Sequence, residues 1–275
     1  MEDLPLVLRP LVEQVQLLYE QPAPKWAPDR ANHEDLQLFK REATSDSVFD
    51  PLGLRRDLWQ QVESGSAQIH AKSCSYAKVL WIQPSGTQTE PPWDIWGRLV
   101  QWAGSAGSNT KWRIFWFPAE IPRRLPPSGQ PVGPEHVNGG YCYPCSPHVI
   151  VVYRKEEATR VLIHELLHAA CTDPPGAPLV LKEATTETWA ELFLVAFCSK
   201  GKARTAKDLW SKQSAWISSQ NEQLRRHYRV LSPEDYAWRY TVGRELILQL
   251  LKVPLPAPHS RQKLSSRLTD PSLCP

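Results

Sequence analysis

Val161-Leu-Ile-His-Glu-Leu-Leu-His-Ala-Ala-Cys171 is the stretch that decides how this 275-residue chain is organised. Within it, His164, Glu165 and His168 form the pattern H-E-x-x-H. Residues four apart lie one above the other on a helix, so both imidazoles project from one side at a separation that one metal ion can bridge. Glu165 lies beside that pair, where its carboxylate can accept a proton from a metal-bound water without being a ligand.

The residues around the motif predict a buried helix that follows a buried strand. Val149–Tyr153 is an apolar run typical of a buried strand, and Glu156 and Glu157 fit the first turn of a helix. From Ala158 to Cys171 the helix is apolar almost all round, and unpaired polar groups on such a helix would cost free energy. Two neutral imidazoles and one carboxylate are suitable ligands for Zn²⁺. The alternative to a metal site is a hydrogen-bonded pair of core histidines.

A second helix after the motif offers the third ligand. The proline-rich segment 173–178 must end the first helix, and a helical pattern then runs from Leu179 to Ser199. Glu183, Glu187 and Glu191 share one face of this helix at four-residue spacing. The alternative is an exposed acidic stripe, but the helix is otherwise rich in apolar residues and is expected to be mostly buried.

This combination resembles the zincin metallopeptidases, specifically the gluzincins, whose third zinc ligand is a glutamate on the second helix. Thermolysin-like members read E-x-x-S-D there, and Glu183-Ala-Thr-Thr-Glu187 gives E-x-x-T-E. The resemblance implies that Glu183 is the ligand and that Glu187 accepts an imidazole N–H. Fourteen residues separate His168 from Glu183, which is short for the family, whereas eighteen separate it from Glu187. Glu187 is therefore the second choice as ligand, with Glu191 as its partner in that case.

Two other zincin patterns fit less well. A metzincin would carry a glycine three positions after His168 and a His or Asp three further on, but Cys171 and Pro174 stand there. Asp173 could be a ligand, as in the aspartate zincins, but beside two prolines it is more simply a residue that ends the helix.

Composition excludes several classes of function and predicts an intracellular, cytoplasmic protein. A net charge of +3 does not indicate nucleic-acid binding, no stretch is long and apolar enough to span a membrane, and Met1–Glu20 lacks the features of a secretory signal. The cysteines show no disulfide framework, so we expect thiols in a reducing compartment and read Cys142-x-x-Cys145 as two loop thiols. The sequence does not fix the oligomeric state.

The order of elements predicts an α+β fold with a zincin-like catalytic domain over residues 75–252. Its small twisted mixed sheet would pack on the H-E-x-x-H helix and the glutamate helix that follows. Residues 1–74 are expected to form an N-terminal helical segment packed on the body, and residues 253–275, rich in Pro and Ser, a flexible tail. Ser232 and Pro233 predict the start of one further helix that continues to about Leu251.

Asn138-Gly139-Gly140-Tyr141 comes just before the last strand and occupies the place of the zincin edge strand that lies antiparallel to the bound substrate. Glycines there would let a peptide backbone approach closely and pair by strand addition. A plain Asn-Gly turn is the alternative.

We therefore expect a zinc-dependent peptidase with one Zn²⁺ ion, acting on a protein or peptide, with Glu165 as general base. A donor for the developing oxyanion is also required, and Tyr240 is the first choice. The other candidates for this donor are Tyr236, Arg239, His227 and Tyr141. A catalytically inactive zinc-binding scaffold and a zinc hydrolase of a non-peptide amide remain open.

Overall fold

The H-E-x-x-H motif belongs to a unit built on one mixed sheet. A computed structural model of the chain describes residues 4–105, 110–258 and 265–273. The sheet has the order β1-β2-β3-β4-β6-β5, in which β3, β4 and β6 are parallel and the other pairs are antiparallel. The predicted α+β class and the mixed character of the sheet are confirmed. The strands are β1 (Ala27–Pro28), β2 (Ala67–Ser73), β3 (Ala77–Pro84), β4 (Trp112–Ala119), β5 (Gly140–Cys142) and β6 (Ile150–Arg154).

The chain divides into two compact units that do not follow the predicted boundary at residues 74 and 75. The helical unit comprises Met1–Gln21, Arg123–Val137 and Asp173–Pro275, and the sheet unit comprises Pro22–Pro122 and Asn138–Thr172. The predicted boundary falls in the turn between β2 and β3, which pair along their whole length from Ser73 with Lys78. Residues 22–74 lie in the same unit as the motif rather than in a separate N-terminal segment.

Helices cover both faces of the sheet. On one face, α2 (His33–Thr44) and α3 (Leu54–Glu63) pack against side chains such as Leu80 and Phe115. On the other face lie α4 (Trp93–Ala103) and α6 (Ala158–Ala169), because strand side chains alternate and Trp116 packs edge to face against Trp96 of α4. Trp96 in turn donates a hydrogen bond to Thr159 of α6 over 3.2 Å. The motif helix is thus fixed to the sheet.

Local capping explains where the N-terminal helices begin. The Asn32 side chain accepts from the backbone N–H of Asp35, whose carboxylate accepts from the N–H of Asn32, so α2 starts with an Asn cap. The Asp50 carboxylate accepts from the backbone N–H groups of Leu54 and Arg55 at the start of α3. It also forms a buried 3.0 Å ion pair with the Arg55 guanidinium.

The helical unit departs from the prediction after Ser232. The single predicted helix is instead a 3-10 helix, Tyr236–Tyr240, followed by α9 (Val242–Leu250), because Thr241 between them has a non-helical backbone. The Asp235 carboxylate accepts from the backbone N–H groups of Leu231 and Ser232, which places the turn before the 3-10 helix. The other helices of the unit are α1 (Leu8–Glu20), α5 (Pro134–Val137), α7 (Leu179–Cys198) and α8 (Ala203–Tyr228).

A buried ion pair joins three helices of the helical unit. Arg244 of α9 donates to Glu191 of α7 over 2.6 Å, and both side chains are at most 1% exposed. Gln213 of α8 donates to the other carboxylate oxygen of Glu191 over 2.7 Å. Glu191 therefore has a structural role in the helix packing.

The C-terminal segment 265–273 is docked on this ion pair. The backbone oxygen of Leu268 accepts from Arg244 over 3.0 Å and from Gln213 over 3.1 Å, and Leu268 is 1% exposed. The Arg267 backbone oxygen accepts from Trp216 and Gln220. The predicted flexible tail is therefore wrong over these residues, because buried side chains of α8 and α9 hold the backbone of the segment.

No helix within the described residues is both long enough and apolar enough to cross a membrane.

Replacing Glu191 with Ala tests the buried ion pair. The change leaves the Arg244 guanidinium buried without its carboxylate, and we expect a loss of about 3–5 kcal/mol in the free energy of unfolding, measured with urea. The matched control is Glu222→Ala, because Glu222 pairs with Arg226 on the surface and exposed pairs contribute only about 0–1 kcal/mol. Equal effects of the two changes would contradict the structural role of Glu191.

Candidate metal centre

The motif helix α6 is buried along its whole length. Every residue from Ala158 to Ala169 is buried, including His164, Glu165 and His168, which are 6–7% exposed. This confirms the predicted buried helix. The predicted acidic first turn is wrong, because Glu157 precedes the helix in a left-handed conformation and no acidic residue follows in that turn.

The two histidines of the motif converge. The Nε2 atoms of His164 and His168 lie 3.1 Å apart, and the ring planes are inclined by 74°. Two nitrogen atoms that are each about 2.0–2.1 Å from a tetrahedral zinc ion are themselves about 3.3 Å apart. The spacing of the imidazoles is therefore close to the spacing that one ion requires, as the four-residue separation predicts.

Glu165 lies next to the edge strand β5. A Cβ atom added to Gly140 would lie 3.3 Å from Oε1 of Glu165, 2.5 Å from a methyl carbon of Val161 and 2.6 Å from the backbone oxygen of Val151. No side chain fits at this position, so glycine allows β5 to pass directly over α6. The close approach of a substrate backbone to the glycine pair stays a prediction.

A disulfide fixes the C-terminal end of α6. Cys145, which follows β5, is bonded to Cys171, three residues after His168. The backbone N–H groups of both cysteines donate to the backbone oxygen of His168 over 3.1 Å. The prediction that Cys145 and Cys171 are thiols is wrong, because the fold brings these distant positions together. Cys198 is also in a disulfide, whereas Cys74 and Cys142 are thiols. The intracellular location stays a prediction. Reduced cysteines no longer support it, because Cys145, Cys171 and Cys198 are in disulfides.

The three glutamates of α7 differ in their surroundings. Glu183 is half-buried, whereas Glu187 and Glu191 are 3% and 1% exposed. Arg244 and Gln213 engage both carboxylate oxygens of Glu191, so Glu191 is unsuited to the role of partner to a Glu187 ligand. This favours Glu183 over Glu187 as the candidate ligand.

In the described part of the chain, one group of three side chains could hold a metal ion. Ligand atoms of His164, His168 and Glu183 all lie within 4.8 Å of one another. Two imidazoles and one carboxylate form the donor set of a catalytic zinc site with one position left open, so these residues fit zinc by their chemistry. Asp173, the alternative from the aspartate zincins, is not in this group and accepts a hydrogen bond from Thr186 over 3.2 Å.

No known family matches this chain. No protein-family model fits the sequence, and comparisons with curated proteins and with solved structures give no match. The site is therefore interpreted from its own geometry.

Tyr240 interacts electrostatically with Glu183 and is hydrogen-bonded to Tyr236. Burial raises the pKa of the Tyr240 hydroxyl well above its ordinary value, and the charge of Glu183 and a hydrogen bond with Tyr236 raise it further. Tyr240 therefore keeps its proton at neutral pH and can donate a hydrogen bond. Arg239, between the two tyrosines in sequence, stacks on both rings. Three of the five predicted oxyanion donors thus cluster on one short helix.

The other two candidates for this role lie elsewhere. The Tyr141 hydroxyl donates to the buried carboxylate of Glu42 over 2.8 Å and accepts from Arg55, and burial raises the pKa of the tyrosine. His227 is exposed near the end of α8. Tyr141 thus has a structural role, and its partners Glu42 and Arg55, about 90 residues distant in sequence, carry no local signal that could have revealed them.

Two of the predicted substrate-binding residues, Asn138 and Gly139, form hydrogen bonds within the fold, and the other two lie in the edge strand β5. Asn138 is buried, its side chain donates to the backbone oxygen of Phe49, and its own backbone oxygen accepts from Arg154. The backbone oxygen of Gly139 accepts from Tyr153 over 2.7 Å. Gly140 and Tyr141 lie in β5, the terminal strand of the sheet, which is antiparallel to β6. The Asn-Gly turn considered from the sequence is therefore replaced by a strand that begins at Gly140.

Replacing Gly140 with Ala tests the approach of β5 to α6. The added methyl group meets a backbone oxygen and the side chain of Val161, so the strand must move away, and we expect a loss of about 1–3 kcal/mol in stability. Urea unfolding measures this loss, with Ser146→Ala in the following loop as a control. A midpoint equal to that of the unmodified protein would contradict the close approach.

Proposed function

We propose that this protein is a zinc-dependent metallopeptidase whose metal ligands are His164, His168 and Glu183. The observation that carries the proposal is the convergence within 4.8 Å of two imidazoles on α6, the helix that also carries Glu165, and one carboxylate on α7. Such a donor set is typical of zinc sites that keep one position for water or substrate. When bound, the ion would polarise a carbonyl group and lower the pKa of a water molecule.

Glu165 acts as the general base in this proposal. The residue directly follows one histidine ligand in the sequence, and its carboxylate is 6% exposed. The proposed base accepts a proton from the attacking water and delivers it to the leaving amine, so that the peptide bond breaks without a net change in the protonation of the protein.

Substrate binding along β5 follows from the position of that strand. β5 ends the sheet within the described residues, and Gly140 brings its backbone next to Glu165. An extended peptide paired with the outer edge of β5 would present a backbone carbonyl near the proposed base. Tyr240 is the proposed hydrogen-bond donor to the oxyanion, since its hydroxyl is protonated and lies beside Glu183.

Replacing Glu165 with Gln tests the general base. The amide cannot accept the proton, so we expect kcat for peptide cleavage to fall by about 10²- to 10⁴-fold while the protein keeps one zinc ion. Cleavage of a peptide library, with a chelator control, and elemental analysis of the purified protein give the two readouts. Full activity in the Gln variant would refute the role of Glu165. Bound zinc without peptide cleavage by the unmodified protein would favour the inactive scaffold or the hydrolase of a non-peptide amide.

Glutamine replacements on α7 identify the third ligand. We expect Glu183→Gln to weaken zinc binding by more than about 100-fold, and Glu187→Gln by about 10- to 100-fold if it orients a ligand histidine. Competition with a zinc-binding dye measures both affinities, and Glu222→Gln on the exposed face of α8 is the control. A larger effect at Glu187 than at Glu183 would reverse the assignment.

A further inference from the structure

Arg239 is a half-buried arginine with no carboxylate partner among the residues that the structure describes. Its Nε atom is buried and makes no hydrogen bond, and no acidic side chain of the described chain forms an ion pair with its guanidinium group. Its contacts are with two aromatic rings. The centre of the guanidinium group lies 5.0 Å from the ring centroid of Tyr236 and 5.9 Å from that of Tyr240.

Two fully buried arginines of this protein are paired with carboxylates. Arg55 pairs with Asp50 over 3.0 Å, and Arg244 pairs with Glu191 over 2.6 Å. An arginine keeps its charge at any physiological pH, and removing that charge from water is costly unless an anion compensates it. Arg239 differs from these two residues because no acidic side chain within residues 4–105, 110–258 and 265–273 pairs with its guanidinium group, which lies against aromatic rings instead.

The position of Arg239 connects it to the candidate metal centre. The 3-10 helix packs on α7 near Glu183, because Trp238 and Ala184 both contact the position of Gly243. The charge of Glu183 contributes to the raised pKa of Tyr240, which is the neighbour of Arg239 in the sequence. The guanidinium group lies within cation–π range of both tyrosine rings, and its planar fork can form two parallel hydrogen bonds to a carboxylate.

We propose that Arg239 binds a carboxylate group of the substrate, either the C-terminal carboxylate of a peptide or the side chain of an aspartate or glutamate. This specificity rests on the proposed peptidase function and names the class of substrate that the site prefers. Bidentate pairing with a substrate carboxylate would supply an anion for Arg239 that the described part of the chain does not.

Peptide binding to the zinc-loaded Glu165→Gln protein tests the proposal without cleavage. Three fluorescent peptides of one sequence are compared by anisotropy: one with a free C-terminus, one with a C-terminal amide, and one amide in which an internal Asn is replaced by Asp. We expect the free acid or the Asp peptide to bind about 10- to 100-fold more tightly than the neutral amide. A preference for the free acid identifies the C-terminal carboxylate, and a preference for the Asp peptide identifies a side chain.

Variants of Arg239 assign the preference to this residue. In Arg239→Gln we expect the preference to fall to about twofold or less, and in Arg239→Lys, which keeps the charge without the fork, to an intermediate value. Arg226→Gln removes one exposed charge from α8 and should leave the preference for the acidic peptides unchanged. Circular dichroism checks the fold, and the Lys variant decides the question if the Gln variant unfolds.

Several results would overturn the proposal. One is that no peptide binds, or that the acidic peptides bind no more tightly than the neutral amide. Another is that the Arg239 variants keep the full preference for the acidic peptides. A third is that these variants lose affinity equally for all three peptides, which would indicate packing or oxyanion stabilisation instead. The outcome is separable from the proposed function. If the protein holds no zinc, the peptidase proposal fails, whereas the same three-peptide comparison on the metal-free protein still reports on Arg239.

Discussion

Burial of ionisable side chains on α6 is the constraint on which the candidate site depends. His164, Glu165 and His168 sit on a helix without a single exposed residue, and polar groups in such a place are costly unless their surroundings compensate them. The helix must therefore be held in one position. The Cys145–Cys171 disulfide and two backbone hydrogen bonds to the oxygen of His168 hold its end, and the contact of β5 with α6 allows no side chain at Gly140.

A buried polar network in each unit supports an element that carries site residues. In the sheet unit, Glu42 and Arg55 bind the hydroxyl of Tyr141 and so anchor β5 to α2 and α3. In the helical unit, Arg244 binds Glu191 and so fixes α7 against α9. Buried ion pairs contribute little net stability compared with apolar packing, but they favour one geometry because any displacement leaves a charge unpaired. We infer that these networks hold β5 and α7 in register.

The sequence predicts those features that depend on local spacing. The converging imidazoles follow from the helical period, and β6, α6 and α7 are predicted by their apolar patterns. The features that were missed depend on distant partners. β2 contains one large apolar residue, Ile69, and is a strand because it pairs with β3. The segment 265–273 is ordered by hydrogen bonds from buried side chains to its backbone, which composition cannot reveal.

The choice between the glutamates of α7 follows from the rotation of a helix. Each residue advances by about 100°, so residues four apart differ by about 40° and residues eight apart by about 80°. Glu191 points towards Arg244 in the interior of the helical unit, and Glu183 is therefore turned away from that ion pair by roughly a quarter of a turn. Although their spacing predicts one acidic face, Glu183 and Glu191 can therefore have two different roles. One end of the helix contributes to the structural ion pair, while the other carries the carboxylate that lies with the two imidazoles.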